Sequence, residues 1–550
     1  MYLFENPVLQ RELLVNLRMK RAFILLLIYQ ALLGAVVYYA WPTQSRLEAN
    51  ADQARGLVNI VFLGQYILAS LMAPSFAAAA ITGEKERKTY EMLLASPLRP
   101  AAITLGKLLS SLAHLGLLIC ASLPIVMLCL PLGGVSFYEV LAAYLGLFLS
   151  VITFGMISIA CSSYFHRTSS SLVASYLLIL PLALLGVLVW TSFEGQGEVR
   201  LLLTITVLPG IAAAICVALF LNTSSRLLHP PDVGSEGKEV VDLDDEAENV
   251  VGLVIQRDQF PDRLFAPPKR DDLMRDGANP VYDKEIHSEI FSQGTLMLRL
   301  VIQISMFLAI PIMAACLFMY PDQAAWYISY VLIFNMLVGP VFSAGSITSE
   351  RERQTLDLLL TTTITPWQIL FGKLVAGLRV SSVLTLFLVW PLMLACMMVT
   401  YYWQNLTSVG AFLLIILMTC LTTGMIALFC SVLFQKTSIS LMTTYVLIIL
   451  LFCAPLAVTV FIKTFQTNAV ANAPNDIQRM AVTSPFAAAF SVPLKVDEFA
   501  DLDRQPESLR YFPPSWNMWA TYMGSAVLLN GFLLSGMLWL FRTRWRVAQN

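Results

Sequence analysis

Charge is what this 550-residue chain has least of: Asp, Glu, Lys and Arg make up 13% of it, while 57% is hydrophobic. A soluble globular chain is nearer about 25% charged. The deficit excludes an ordinary cytosolic enzyme, a nucleic-acid binder and a disordered scaffold. Lys and Arg (35) nearly balance Asp and Glu (36), so no polyanionic partner is implied. Histidine is equally scarce: the four residues, His114, His166, His229 and His287, are scattered, and no His/Cys spacing resembles a metal site. All nine cysteines lie in apolar runs, which leaves no disulfide framework to read. No G-x-x-x-x-G-K-[ST] loop that could cradle phosphates is present either.

What the chain has instead is long apolar runs. A bilayer-crossing helix needs about 17–25 predominantly apolar residues. Such runs occur near 22–41, 57–81, 105–131, 138–162, 170–191 and 201–222, then near 297–319, 326–347, 374–399, 407–433, 438–463 and 517–541. That predicts an all-α polytopic membrane protein with about 12 transmembrane helices. The N-terminal run has about 20 residues, longer than the about 7–15 of a signal-peptide core. With the N-terminus inside, 27 of the 35 basic residues fall on the inner side. The positive-inside rule therefore expects a multi-pass protein of the cell (inner or plasma) membrane with both termini cytoplasmic.

The sequence also repeats itself. Residues 81–108 match residues 347–374 without a gap at 13 of 28 positions, among them Glu, Arg, Pro and Lys. Residues 161–178 match 430–447 at 9 of 18, and Asn6-Pro7-Val8 with Glu12 pairs with Asn279-Pro280-Val281 with Glu285. The order is the same in both halves. An even number of spans per half makes the repeat parallel. The expected organisation is a first module at 1–222 and a linker at 223–278, acidic and then of mixed charge. A second module follows at 279–550, carrying an extracytoplasmic insertion at 464–515.

The repeated polar pieces have local logic. Asn6 and Asn279 suit helix N-caps, with Pro7 and Pro280 at the first helical position. The segment after Pro7 is amphipathic and basic, which places Arg18, Lys20 and Arg21 against anionic headgroups of the bilayer. Its counterpart after Pro280 is more polar and suits contact with protein. The charged pieces starting at Glu84 and Glu350 are expected to be short helices, with Glu84/Arg87 and Glu350/Arg353 as i,i+3 pairs. Lys107 and Lys373 are expected to snorkel to the inner interface.

These residues resemble the membrane subunits of ABC-2 type ABC transporters. Such a subunit has an interfacial helix before its first span and a Glu-rich coupling helix between spans two and three, ending in Gly-Lys. The chain looks like two such modules fused, which implies an ABC-2 (type V exporter-like) permease architecture. The resemblance implies that Glu84, Glu86, Arg87, Thr89, Glu350, Glu352, Arg353 and Thr355 face an ATPase. The family often has Gly before that Thr, where this chain has Lys88 and Gln354. Two copies of an ATP-binding cassette subunit are implied as partners, with ATP and Mg on them and no cofactor or catalytic residue in this chain. The 464–515 insertion offers a place for an extracytoplasmic partner or a lid. The alternatives are an ion-coupled secondary transporter, an intramembrane enzyme, or a membrane scaffold or signalling protein. The first usually needs mid-span carboxylates, and the second a clustered Asp, His–Glu or Ser–Lys set. The spans contain neither.

Overall fold

A computed structural model of the chain describes residues 7–17, 20–40, 47–127, 137–165, 168–192, 197–228, 279–287, 295–319, 324–352, 354–435, 437–465, 479–494 and 513–544. Every regular element among them is helical. Among the described residues eleven stretches are long and apolar enough to cross a membrane. The remaining expected span, 22–41, falls on a helix of 21 residues, Lys20–Ala40. The chain is an all-α polytopic membrane protein.

Its helices gather into two compact units: Met1–Ile255 with Leu296–Ser305, and Gln256–Thr295 with Met306–Asn550. The first contains α1 (Pro7–Leu17), α2 (Lys20–Ala40), α3 (Leu47–Ala77), α4 (Ala79–Glu86), α5 (Tyr90–Leu94), α6 (Pro100–Met127), α7 (Phe137–Tyr164), α8 (Thr168–Ser192), α9 (Gly197–Leu202) and α10 (Leu208–Leu228). Here α7 is the central helix, packed on α3, α6, α8 and α10, while α1 lies along α6.

The second part of the chain contains α11 (Pro280–His287), α12 (Thr295–Met313), α13 (Ala324–Ser343), α14 (Thr348–Glu352), α15 (Leu356–Leu360), α16 (Pro366–Met398), α17 (Thr400–Gln404), α18 (Leu406–Leu433), α19 (Thr437–Ile448), α20 (Ala454–Phe465), α21 (Pro485–Ser491) and α22 (Trp516–Arg544). The equivalent helices occupy equivalent places: α18 packs on α13, α16, α19 and α22, and α11 lies along α16. At 33 residues α16 is about 50 Å long. A bilayer core is about 30 Å thick, so α16 reaches well past it to meet α11.

The spans handle proline as membrane helices do. Widened π-helical turns at Leu203–Val207, Ala314–Met319 and Ile449–Cys453 lie within three residues of Pro209, Pro311 and Pro455. Proline lacks the N–H for its i−4 carbonyl and its ring crowds that carbonyl, so the helix widens locally. Many hydroxyls in the spans bond carbonyls of their own helices, as in Thr419 to the Ile415 carbonyl at 2.7 Å. In the core of the second unit a buried asparagine cross-links three helices. Asn335 on α13 accepts from Ser381 and Thr385 of α16 at 3.4 and 3.2 Å and donates to Ile416 O on α18 at 3.5 Å. The equivalent position of the first half is Ala69, which is fully buried.

Part of the 464–515 segment turns back into its own bundle. The short helix α21, Pro-Phe-Ala-Ala-Ala-Phe-Ser, is almost wholly buried against α13, α18 and α22. Phe490 meets Trp326 edge-on at 5.1 Å, and Ser515 N donates to Ser491 O at 2.8 Å. Three consecutive alanines let the helix backbone approach its neighbours closely.

Candidate functional site

In each half the three repeated pieces of sequence converge on one junction. In the first half α4 begins where α3 breaks and leaves first-turn N–H groups without helical partners. Ser162 Oγ from α7 accepts two of them, Ile81 N at 3.0 Å and Thr82 N at 2.9 Å. In the second half Ser431 Oγ from α18 accepts Ile347 N at 2.9 Å and Thr348 N at 3.0 Å.

The far end of α4 is closed by a Schellman motif. Thr89 N donates to Glu84 O at 3.0 Å and Lys88 N to Lys85 O at 3.1 Å. Thr355 N to Glu350 O at 2.9 Å and Gln354 N to Arg351 O at 3.0 Å repeat it. The residue that reverses the chain must be left-handed, a position usually held by Gly. Lys88 and Gln354 hold it, both at φ 58°, and no other non-glycine residue among those described has positive φ. The Glu84 carboxylate also accepts from the Thr89 hydroxyl, as Glu350 does from Thr355.

Because successive residues of a helix point about 100° apart, three consecutive charged side chains before the turn go to three different places. Glu84 turns inward to Lys107 Nζ of α6 at 3.2 Å, and Lys107 is also held by Glu12 of α1 at 3.0 Å. Ser110 donates to the second Glu12 oxygen at 2.7 Å. In the second half Lys373 of α16 meets Glu285 of α11 at 2.6 Å, Glu350 at 3.5 Å and the Ser346 carbonyl at 2.8 Å. Lys284 there adds a bond to Glu350 at 3.0 Å. Lys107 and Lys373 therefore do not snorkel. Each is only 2% exposed, because its helix starts two turns earlier and α1 or α11 closes over it.

The next residue, Lys85, donates to carbonyls at the C-terminal end of α7: Ser163 O at 2.7 Å, Phe165 O at 3.0 Å and Ser162 O at 3.4 Å. Arg351 does the same for α18, with Val432 O and Phe434 O both at 2.6 Å. The third, Glu86, accepts Thr168 N at the start of α8 at 2.7 Å. Glu352 accepts Thr437 N and its hydroxyl at the start of α19 at 2.9 and 3.0 Å. The signs are right for the helix dipoles: cations at C-termini, carboxylates at N-termini.

The glycine before Lys373 has a packing role. A Cβ on Gly372 would stand 3.0 Å from Tyr282 N, 3.2 Å from Asn279 Nδ2 and 3.3 Å from the Val281 Cβ. Only glycine lets α11 lie this close to α16. Asn279 caps α11, its Oδ1 accepting Val281 N at 3.0 Å, and donates to Gln368 O at 2.8 Å. Pro280 and Pro7 are the first residues of their helices.

The residues singled out in the sequence thus have different fates. Glu84, Thr89, Glu350 and Thr355 face into the junction, and Glu86 and Glu352 are exposed but bonded to the next span. Arg87 is exposed. Glu84 pairs with Lys107 rather than with its i+3 neighbour, because it lies on the inward side of α4, where the Thr89 hydroxyl also holds it. Arg353, Asn6 and Arg18 lie outside the described residues, and so do the side chains of Lys20 and Arg21. The sequence reading missed the roles of Glu12, Glu285, Lys85, Arg351, Ser162 and Ser431, although every one stands in a repeated piece. It also missed the tip beyond the turn. Met92 and Leu358, at the same position of the repeat, are 76% and 69% exposed beside exposed Glu91 and Asp357. Tyr90 beneath the tip is buried, with Lys85 Nζ 5.5 Å from its ring centre. Burial pushes its phenol above the ordinary value, so it stays neutral.

Fold and junctions together define a duplicated, multi-pass membrane protein. A sequence model of the family described as ABC-2 family transporter protein matches residues 7–226 and 232–544, and the chain belongs to that family. It is the membrane permease component of an ABC transporter and works with ATP-binding cassette subunits. No curated protein matches the chain significantly.

Proposed function

We propose that the chain is the two-module permease of an exporter, driven by two copies of an ATP-binding cassette subunit. One subunit docks on α5 and the other on α15. The observation that carries this is the pair of tips: a large apolar side chain, exposed beside a carboxylate, stands at the same place in both halves on a buttressed turn. An isolated exposed apolar residue is ordinary. One held in the middle of a short helix next to a turn anchored to several spans suits insertion into a pocket of a partner. Nucleotide chemistry belongs to that partner, since Gly106-Lys107 and Gly372-Lys373 are followed by Leu rather than Ser or Thr, and no glycine stands five residues upstream. The distribution of Lys and Arg supports a cytoplasmic location for both tips and both termini in the cell membrane. Export as the direction rests on the family resemblance. A partner at 464–515 would meet the chain on the opposite side.

Co-purification with the ATP-binding cassette subunit tests the docking. Met92→Asp with Leu358→Asp places a charge where the pocket is apolar, and loss of a buried anchor weakens association by about 30-fold or more. Solubility and thermal stability of the permease alone should not change. Retention of the complex by the double variant at wild-type affinity would show that the tips are not the docking surface.

A further inference from the structure

Given the docking proposed above, on which this rests, we propose that the stroke received at α5 and α15 is delivered to the junction between the fourth and fifth spans of each half. Lys85 with Glu86, and Arg351 with Glu352, are its positioning residues. The lysine clamps at Lys107 and Lys373 serve as the pivot.

The geometry that points there is reciprocal capping. The N-terminus of α4 is capped by Ser162 of α7, while the C-terminus of α7 is capped by Lys85 of α4. Glu86, one residue on, caps the N-terminus of α8. Neither α4 nor the α7–α8 junction can shift alone without leaving backbone N–H and C=O groups unpaired at low dielectric. The second half repeats every part with Ser431, Arg351 and Glu352. The hydroxyls tighten the same spot: Thr82 and Thr168 are 3.1 Å apart, and Thr437 donates to Thr348 at 3.0 Å.

The clamp differs in kind. Lys107 joins α4 to α6 and α1 through two carboxylates around one nearly dry ammonium. An ion pair of this type tolerates small rotations about the ammonium, which has three rotatable donors. Ser162 of α7 instead holds two backbone N–H groups of α4 by one short side chain, which leaves no such freedom. Rotation of α4 about the clamp therefore has to move the ends of spans four and five together. Replacement of Lys85 by Arg351 between the halves keeps a cation with more than one donor on the same carbonyls, which a merely topological inside-positive charge would not need.

The test uses the full permease–ATPase complex in nanodiscs, with backbone hydrogen exchange followed at 161–172, at 430–441 and at the clamp peptides 100–110 and 366–376. In wild type, trapping with ATP and vanadate should change exchange at both span junctions. Lys85→Met with Arg351→Met should raise resting exchange there by about tenfold or more, the loss of a charge-assisted bond. It should also abolish the response to trapping while the complex and its ATP hydrolysis are retained. Exchange of the two cations, Lys85→Arg with Arg351→Lys, should restore the response. If the Met pair does not fold, Glu86→Ala with Glu352→Ala removes the acceptor at the span starts and should give the same loss of response. A response that persists in these variants with the complex intact overturns the proposal alone, as does a wild-type response confined to the clamp peptides. Failure of the wild-type chain to hold an ATP-binding cassette subunit overturns the docking as well.

Discussion

Removing both carboxylates from the Lys107 clamp should cost more than the sum of removing each. Lys107 has 3% of its side chain exposed and lies 3.0 Å from Glu12 and 3.2 Å from Glu84. At about 3 Å and an effective dielectric of about 20, each attraction is about 5 kcal/mol gross, much of it offset by stripping water from the ammonium. Either carboxylate alone still neutralises the lysine. Glu12→Gln or Glu84→Gln therefore removes one charge-assisted bond, and because Glu12 and Glu84 are 29% and 30% exposed the cost falls near about 1–2 kcal/mol. With both gone, a cation is stranded almost without water, at about 3–5 kcal/mol for the broken pair alone. The coupling between the two sites should then be about 1–3 kcal/mol. Adding Lys107→Met removes the stranded charge and should restore the chain to within about 2 kcal/mol of wild type. The assay is the temperature at which half of the detergent-solubilised chain stays monodisperse, the shift of the double variant being compared with the sum of the single-variant shifts at one heating rate. Additive losses in the double variant, or a triple variant no better than the double, would refute the reasoning. The matching pair in the second half, Glu285→Gln with Glu350→Gln, should show weaker coupling, since Lys373 keeps the Ser346 carbonyl at 2.8 Å.

The left-handed turn makes a second prediction. Gln354 is exposed at φ 58°, so Gln354→Gly should stabilise by about 0.5–1 kcal/mol and Gln354→Val destabilise by about 1–2 kcal/mol, as read by thermal melts. In the second unit a Cβ on Gly377 would stand 2.7 Å from Ser343 Oγ. Gly377→Ala should therefore cost about 1–3 kcal/mol. Adding Ser343→Ala should recover much of that, because the Ser343 hydroxyl is buried without a hydrogen-bond partner. Gly372→Ala should push α11 off α16 and raise hydrogen exchange across 280–287, with no such effect from alanine at Gly410, where the added atom meets nothing.

Much of the fold was legible because bilayer thickness imposes a length and an apolarity that no other solvent demands. The spans near 138–162, 326–347 and 407–433 reappear within a few residues as α7, α13 and α18. The ends were less legible. The run placed at 374–399 begins at Pro366, because polar residues can continue a helix beyond the membrane. The burial of α21 was hidden, since a seven-residue alanine-rich stretch carries no periodicity. At the junctions the repeats marked the right pieces but not their partners. Glu84 lies 23 residues from Lys107 and 72 from Glu12 in the sequence, and no spacing rule joins residues so far apart.

By itself the sequence determined the apolar spans, the parallel duplication and the places where polar residues recur in both halves. These follow from local composition and from self-comparison, which need no coordinates. Only the tertiary structure decided which way the recurring charges point. Glu84 and Glu350 face inward on their helices, and one left-handed residue after each, Lys88 or Gln354, reverses the chain so that Met92 and Leu358 face outward. Neither residue is the glycine that would have announced the turn. The energy that holds it comes from bonds to α1, α6, α7 and α8, and to α11, α16, α18 and α19, helices that meet at one point only once the chain has folded.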